Sequence, residues 1–320
     1  RGNPGASRSS AENWRLQGTA MLTYGREFNG MHRVDAVAVF ETQKQIGNSF
    51  SASSGGLQFP ALGFYNLPLA SSYQVGSGFS KETILSYLGR INYAFRDKYL
   101  LSIAVRRDGS SKFRAGNKYS TFPTLGIGYN IGKEDFIRDL NVFHSLKIRA
   151  SWGKTGSQAV RPYATLSTYN TNAPVAFNNS GVTSGIQLGN PGNPNLKWET
   201  TDQFDIGIES SFLNGRLSFE FDYFKKNTHD LLLNQALPEY VGGGTLTQNV
   251  GEVENKGFEL SVRGIIVDSK DWNWTSNFNI SRVKNRILSL GGIADRIGQG
   301  TGVGAGMSIT NEFMLIPGQS

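Results

Sequence analysis

The sequence predicts an all-β protein: a transmembrane antiparallel up-and-down β-barrel, of which this chain holds about ten strands. Three observations support it: long stretches of period-two alternation, two strand faces of contrasting polarity, and connections that alternate between short and long. Successive side chains of a strand point to opposite faces, so alternation indicates strand. Strands of soluble proteins usually have about 5–6 residues, whereas a membrane-spanning strand needs about 9–11.

The clearest hairpin lies at residues 83–107, and the same pattern recurs along the chain. Strands are predicted at residues 13–25, 31–42, 83–95, 99–108, 119–131, 146–155, 198–212, 216–226, 257–267 and 272–283. Short connections are expected at 26–30, 96–98, 213–215 and 268–271, and a longer one at 132–145, where EDFIRDL favours a short helix. Long connections are expected at 43–80, 109–118, 156–197, 227–256 and after about 284. Short turns at one rim and long loops at the other are typical of outer-membrane barrels.

The two faces of the predicted strands differ in charge. One face is apolar, and its few charges, Arg107, Lys154, Asp202 and Lys225, sit at strand ends that join long loops. A Lys or Arg at the bilayer midplane costs about 2–4 kcal/mol and much less at the interface, so this distribution fits lipid exposure. Aromatic residues of this face gather near both ends, as in two interfacial girdles. The long-loop girdle is expected to include Trp14, Phe40, Tyr119, Trp152, Trp198, Tyr223 and Phe258.

The amino-acid composition argues against several classes of function and site. The 320 residues carry a net charge of +7 with scattered Lys and Arg, so no basic stripe favours nucleic acid. Only 38% of residues are hydrophobic, which suits membrane strands because alternate positions alone need to be apolar. The absence of cysteine excludes disulfides and zinc–thiolate sites. The abrupt first and last residues suggest a fragment of a longer protein.

Five segments resemble one known family. They are SYLGRINYAFRDKYLLSIAVRRDGSSKF at 86–113, LKIRASWGKTGSQ at 146–158, the stretch 193–232, NVGEVENKGFELSV at 249–262 and WNWTSNFNISRVKNRILSL at 272–290. Together they are similar to the barrel of SusC/RagA-type TonB-dependent outer-membrane proteins of Bacteroidetes. The resemblance implies residence in the Gram-negative outer membrane and uptake of oligosaccharides or peptides. It also implies a SusD-like surface lipoprotein partner and energy from the TonB complex.

The chain departs from that family pattern at both ends. The signal peptide, N-terminal domain, plug domain and last strands of the family have no counterpart here, so residues 1–320 are expected to be one partial barrel domain. Large barrels of this type have 22 strands and a plugged lumen. We therefore expect either an open-edged curved sheet or a smaller closed barrel, and no transport by this portion alone.

No residue pattern indicates catalysis, a metal or a cofactor, and the protein is not expected to be an enzyme. His32, His144 and His229 lack metal-ligand spacing, and Glu252 and Glu254 are interpreted as a strand-entry motif. The glycine-rich run 298–306 lacks the G-x-G-x-x-G spacing and is interpreted as a loop. Candidate ligand contacts lie in loop 156–197, where aromatic and amide side chains could stack on and hydrogen-bond a sugar: Tyr163, Tyr169, Phe177, Asn178 and Asn179.

Two other functions stay open at this level. The first is a passive porin or outer-membrane adhesin, which a plug domain upstream would argue against. The second is a soluble carbohydrate-binding β protein, which would be stable without detergent. The strand lengths and the placement of charges favour the transporter over the soluble protein.

Overall fold

Sixteen strands are present in the computed structural model, which describes residues 4–176, 182–238, 240, 243–292, 297–300 and 311–318. They are β1 Gly5–Phe28, β2 His32–Leu57, β3 Ala70–Phe95, β4 Tyr99–Ser110, β5 Tyr119–Tyr129, β6 Phe143–Ser157, β7 Tyr169–Ala176, β8 Val182–Leu188, β9 Glu199–Phe212, β10 Leu217–His229, β11 Leu232–Ala236, β12 Thr245–Asn249, β13 Glu252–Asp268, β14 Asn273–Ser289, β15 Ile297–Gly300 and β16 Asn311–Leu315. Short helical turns occur at Pro60–Leu69, Ile131–Lys133, Asp135–Arg138 and Leu213–Gly215.

Ten of these strands form a single antiparallel wall in the order β1-β2-β3-β4-β5-β6-β9-β10-β13-β14. Each wall strand pairs with the next one along the chain apart from the small hairpins inserted in the long loops, as an up-and-down barrel wall requires. Among the described residues, β1 and β14 each pair on one side only, so the sheet has open edges. The ten predicted strands, the short turns and the helical turn in EDFIRDL are confirmed.

The register places apolar side chains on one face of the whole wall, which we call the outer face. One row of directly paired residues is Tyr24, Ala36, Ile91, Ile103, Leu125, Trp152 and Phe204. Ile91, Ile103 and Leu125 are 54%, 45% and 43% exposed, although a soluble protein would bury them. Lipid in place of water accounts for this arrangement.

The strands are tilted relative to these rows. The row that begins at Tyr24, four residues before the short-turn end of β1, continues through Lys225 and Lys256 to Lys284, eleven residues from the short-turn end of β14. A row thus runs from near one rim of the wall toward the other. Barrel strands have such a stagger because closure of the barrel requires the strands to tilt relative to its axis.

The prediction of a long loop at residues 43–80 is wrong, because most of this segment is strand. The ends of β1, β2 and β3 pair with one another beyond the last pairing of β4, forming an arm of residues 5–16, 44–57 and 70–83. The arm is rich in Ser and Gly and has no hydrophobic alternation, so its sequence resembles a loop. Backbone pairing, with a few side-chain hydrogen bonds such as Arg15 to Gln45, holds these strands together.

The other segments predicted as long loops contain small hairpins, so the prediction that they are entirely loop is wrong. β7 pairs with β8 inside 156–197, β11 with β12 inside 227–256, and β15 with β16 in the segment after β14. β14 itself continues to Ser289, past the predicted end at 283. The glycine-rich run 298–306 lies largely outside the described residues.

The short-turn rim is closed by tight turns and one partly buried carboxylate, Glu134. Arg96 and Asp97 both adopt φ of 51°, the left-handed geometry of a two-residue hairpin turn. Glu134 accepts a 2.9 Å hydrogen bond from Lys98 Nζ and a 3.0 Å bond from the Tyr129 hydroxyl. These two bonds lower the pKa of Glu134 below its usual value because they stabilise the ionised form.

Candidate functional site: the inner wall and the loops above it

The inner face of the wall carries a network of ion pairs around Arg149 on β6. Its Nε donates to Glu209 Oε1 at 2.7 Å, and its Nη2 donates to Glu220 Oε1 at 2.9 Å and to Asp222 Oδ2 at 2.7 Å. Lys147 Nζ also contacts Glu209 at 3.3 Å. One guanidinium therefore ties β6 to both β9 and β10.

Gly207 on β9 makes this crossing possible. It is paired with Arg149 on one side and with Asp222 on the other, so it lies between the two ion-pair partners. A Cβ at position 207 would collide with Asp222 Oδ1 and would lie 3.1 Å from Arg149 Cζ. The missing side chain leaves the gap through which the guanidinium reaches the second strand.

Acidic groups outnumber basic groups on this part of the inner face. The carboxylates are Asp205, Glu209, Glu220, Asp222 and Glu259, and the cations are Lys147, Arg149, Lys226 and Arg263. Next to them, toward the short turns, a cavity of about 330 Å³ is lined on the inner face by Arg33, Asp35, Asn92, Lys147 and Asp205, among others. Such a surface can bind polar ligands or a polar polypeptide.

A hydrophobic cluster joins the long loops above the wall; we call it the loop clasp. Its buried members are Phe113, Phe122, Val160, Leu196 and Trp198. The Trp198 ring lies 5.5 Å from the Phe113 ring and 5.8 Å from the Phe122 ring, and its Nε1 donates to Lys118 O at 3.1 Å. Trp198 is only 6% exposed, so its predicted place in the lipid-facing girdle is wrong.

Hydrogen bonds extend the clasp to the loop between β10 and β13. Lys197 N donates to Asn249 Oδ1, and Asn249 Nδ2 donates back to Lys197 O, both at 2.8 Å. Glu199 Oε1 accepts from Leu232 N at 2.7 Å, and Asn193 Nδ2 donates to Thr247 O at 2.9 Å. Three loops distant in sequence are thereby held as a unit.

Two of the five candidate ligand contacts lie within the described residues. The Tyr163 hydroxyl accepts a 3.1 Å hydrogen bond from Lys81 N on β3, and the residue has a φ of 66°. Tyr169 opens β7 and is 64% exposed. Phe177, Asn178 and Asn179 lie outside the described residues. Tyr163 therefore ties its loop to the arm, whereas Tyr169 is available for contact.

Glu252 and Glu254 each have their own partners. Glu252 accepts from Asn227 Nδ2 at 2.7 Å, and Glu254 pairs with Lys225 at 2.9 Å and Lys256 at 3.1 Å. Over the part of the chain that the structure describes, no group of three or more His, Asp or Glu side chains is placed to hold a metal ion. None of the described helices is long and apolar enough to cross a membrane.

The Arg149 network and the loop clasp were not identified from the sequence. Strand alternation assigns the charges of the network to the face opposite the apolar one, but their pairing depends on which residues of β6, β9 and β10 stand opposite one another. The only local signal was Gly207 between acidic neighbours. The clasp brings together residues from 113 to 198, and no spacing in the sequence indicates such a contact.

Comparison with known proteins identifies the family. Residues 3–308 match the TonB dependent receptor-like β-barrel family. The chain is 38% identical over 294 residues to TonB-dependent receptor P26 of Formosa agariphila, covering 91% of this chain and 29% of that protein. It is 37% identical over 216 residues to TonB-dependent receptor SusC of Bacteroides thetaiotaomicron, covering 67% of this chain and 22% of that protein.

Solved structures agree with this assignment. The fold matches the structure of the RagAB peptide importer in the "closed-closed" state with a TM-score of 0.80 and 25% identity, covering 91% of this chain and 32% of that one. The "open-open" state matches with a TM-score of 0.77 and 26% identity. The chain thus spans less than a third of the length of these relatives. It belongs to the TonB-dependent receptor-like β-barrel family, is similar to SusC, and is an outer-membrane protein.

Proposed function

We propose that residues 1–320 are the barrel portion of an importer that takes up oligosaccharides or peptides across the outer membrane. The observation that carries the proposal is the contrast between the two faces of one wall. The outer face carries no charge at the rungs between the rims, whereas the inner face carries five carboxylates and four cations in and around the Arg149 network. A wall of this kind separates lipid from a polar passage.

The energy for import would come from the TonB complex through a plug domain outside this chain. A plug must be held in the lumen and yet be movable, and the inner wall supplies charged partners for it. Its acidic excess suits a plug surface with Lys and Arg side chains. No covalent chemistry is proposed, so the protein would act by binding and motion and not as an enzyme.

A SusD-like surface lipoprotein would cover the loops. The proposal draws on the similarity to RagAB and to SusC and on the shape of the long-loop side here. The loop clasp fixes three loops, and the arm of β1–β3 stands beside them, so a partner would meet a preformed surface. Preformed surfaces bind with a smaller loss of conformational freedom.

Substrate would contact the loops under that partner. Tyr169 is the candidate that the structure shows exposed, and Phe177, Asn178 and Asn179 follow it in the same loop. Tyr163 is proposed to act indirectly, since its hydroxyl is occupied by Lys81 N. Aromatic rings with neighbouring amides can take either a sugar or a peptide backbone, and the two substrate classes are distinguished by experiment.

The test is uptake of fluorescent oligosaccharides and peptides by cells that carry the complete protein. Import of one class, lost when TonB is deleted and reduced by Tyr169→Ala, is the expected result. Phe136→Ala, an equally exposed aromatic residue on the opposite, short-turn rim, is the matched control. Uptake that persists without TonB would identify a passive porin, and surface binding without uptake would identify an adhesin; either result would overturn the proposal.

A further inference from the structure

A second charged surface lies on the outer face at the long-loop rim, away from the lumen. Lys225, Lys256 and Lys284 occupy one register row on β10, β13 and β14. Arg282 and Arg286 flank Lys284 on the same face of β14. We call these five residues the basic rim patch.

The basic rim patch begins where the apolar part of the outer face ends. On β14, Phe278 and Ile280 are 56% and 46% exposed, and the next outward positions are Arg282, Lys284 and Arg286. On β10, Phe221 and Tyr223 precede Lys225 in the same way. Successive outward residues lie about 7 Å apart along a strand, so the cations stand directly above the hydrocarbon level, at the depth of lipid headgroups.

The charges of the patch are not balanced by nearby carboxylates. Glu254 pairs with both Lys225 and Lys256, at 2.9 and 3.1 Å. Within the described ranges, Arg282, Lys284 and Arg286 take part in no ion pair. Like charges directly opposite each other on neighbouring strands destabilise a sheet, and here three lysines stand in one row. Glu254 also stands opposite Arg286 in the register, and among the described residues it is the one carboxylate that forms ion pairs with the patch, so the five cations keep a net positive charge that can take an added anion.

A small cavity lies within the patch. It has a volume of about 100 Å³ and is lined by Glu254, Lys256, Lys284, Arg286 and Gly318. Gly318 is held there because its N–H donates to Ile287 O at 2.7 Å. The cavity is therefore bounded by three cationic side chains, a backbone segment and the carboxylate of Glu254, which is already paired with Lys225 and Lys256. Phosphate oxygens match both Lys and Arg donors.

We infer that the basic rim patch binds the phosphorylated headgroup of a lipid in the outer leaflet of the outer membrane. The acyl chains of that lipid would lie along Phe278 and Ile280, while its phosphate would sit among Lys256, Lys284 and Arg286. The inference rests on the outer-membrane location and not on the proposed transport, because every residue involved faces away from the lumen.

The test measures lipid bound to the complete protein in a neutral detergent. Titration with a lipid carrying a phosphate monoester headgroup is compared with titration by a zwitterionic lipid, and binding is read by native mass spectrometry. The double variant Lys284→Gln with Arg286→Gln is expected to bind the phosphorylated lipid about thirtyfold more weakly, since each cation contributes about a fivefold factor near an anionic lipid surface. Binding should also weaken as salt is raised.

The matched control removes two cations from the opposite face. Lys226 and Arg263 lie on the inner face of β10 and β13, so Lys226→Gln with Arg263→Gln should leave lipid binding unchanged. The exchange variant Lys284→Arg with Arg286→Lys keeps the charges and should retain binding, and heat-modifiable gel mobility confirms that each barrel is folded. Equal binding of zwitterionic lipid, equal loss in the inner-face control, full retention in the Gln variant, or displacement of the lipid by equimolar inorganic phosphate would each overturn the inference.

Discussion

The membrane wall and the loop clasp place the same kinds of side chain in opposite positions. In the wall, Trp274 is 60% exposed and Phe278 is 56% exposed, whereas in the clasp Trp198 is 6% exposed and Leu196 is fully buried. The wall turns its apolar side chains outward because lipid surrounds it, and the clasp turns them inward because water does. One chain thus follows two burial rules, and the surrounding solvent decides which of them applies.

The largest effect is expected from emptying the clasp. Trp198→Ala removes the ring that contacts Phe113 and Phe122 and should destabilise the loop unit by about 3–5 kcal/mol. The wall should stay folded, because Phe122 is the one clasp member on a wall strand and its backbone pairing with Arg106 does not involve the Trp198 ring. Limited proteolysis of the complete protein should show rapid cleavage in 158–198 with unchanged heat-modifiable mobility.

A control tests whether the position or the residue type matters in that experiment. Trp272→Ala removes an equally large ring that is 77% exposed in the turn before β14. Cleavage of 158–198 in this variant should match the unmodified protein. Faster cleavage in both variants, or in neither, would show that the clasp does not hold the loops.

The next largest effect is expected from placing a charge on the outer face of the wall, which the native sequence avoids at membrane depth. Phe221→Arg places a cation on the outer face of β10, paired with Ile208 and Leu260, and should cost about 2–4 kcal/mol at membrane depth. Outer-membrane assembly should fall sharply. Ser281→Arg places the same side chain one rung away on the inner face beside Glu259, and should assemble normally. Equal assembly of the two variants would mean that the outer face of this wall does not meet lipid.

A smaller loss of stability is expected from removing the central cation of the inner-face network. Arg149→Gln leaves Glu209, Glu220 and Asp222 without their shared cation, and we expect a loss of about 1 kcal/mol because the network is partly exposed to water. Arg149→Lys keeps the charge but not the planar guanidinium, so its stability should lie between that of Arg149→Gln and that of the unmodified protein. Urea unfolding of the complete protein in vesicles measures both; a stability equal to that of the unmodified protein would show that the contacts are not coupled.

The smallest effect is a pH dependence at the short-turn rim. The folded pKa of Glu134 lies below its unfolded value, which is about 4.3, so the carboxylate stabilises the turn above that pH. Stability should be lost as the pH falls from there through the folded pKa. Hydrogen exchange of residues 130–140 should therefore quicken in acid, and Glu134→Gln should abolish this difference; an unchanged acid response in Glu134→Gln would assign it to another group.

The sequence predicted the membrane-level wall because lipid imposes an alternation that can be seen in single strands. It did not predict the arm, whose Ser- and Gly-rich strands have the same solvent on both faces and so show no alternation. Trp198 was misplaced because the alternation of β9 was continued one position beyond the start of the strand at Glu199. The Arg149 network and the clasp depend on register and on contacts between distant loops, which no local pattern contains.

The arm has a mechanical consequence. It extends about 14 residues, or roughly 45 Å, beyond the last rung shared with β4, and its strands are the same strands that cross the membrane. A continuous hydrogen-bonded ribbon resists bending in its own plane, because a local kink would break ladder bonds. A force applied at the tip of the arm, at Pro60–Leu69, would therefore be transmitted along the ribbon and would twist β1–β3 at the level of the lipid.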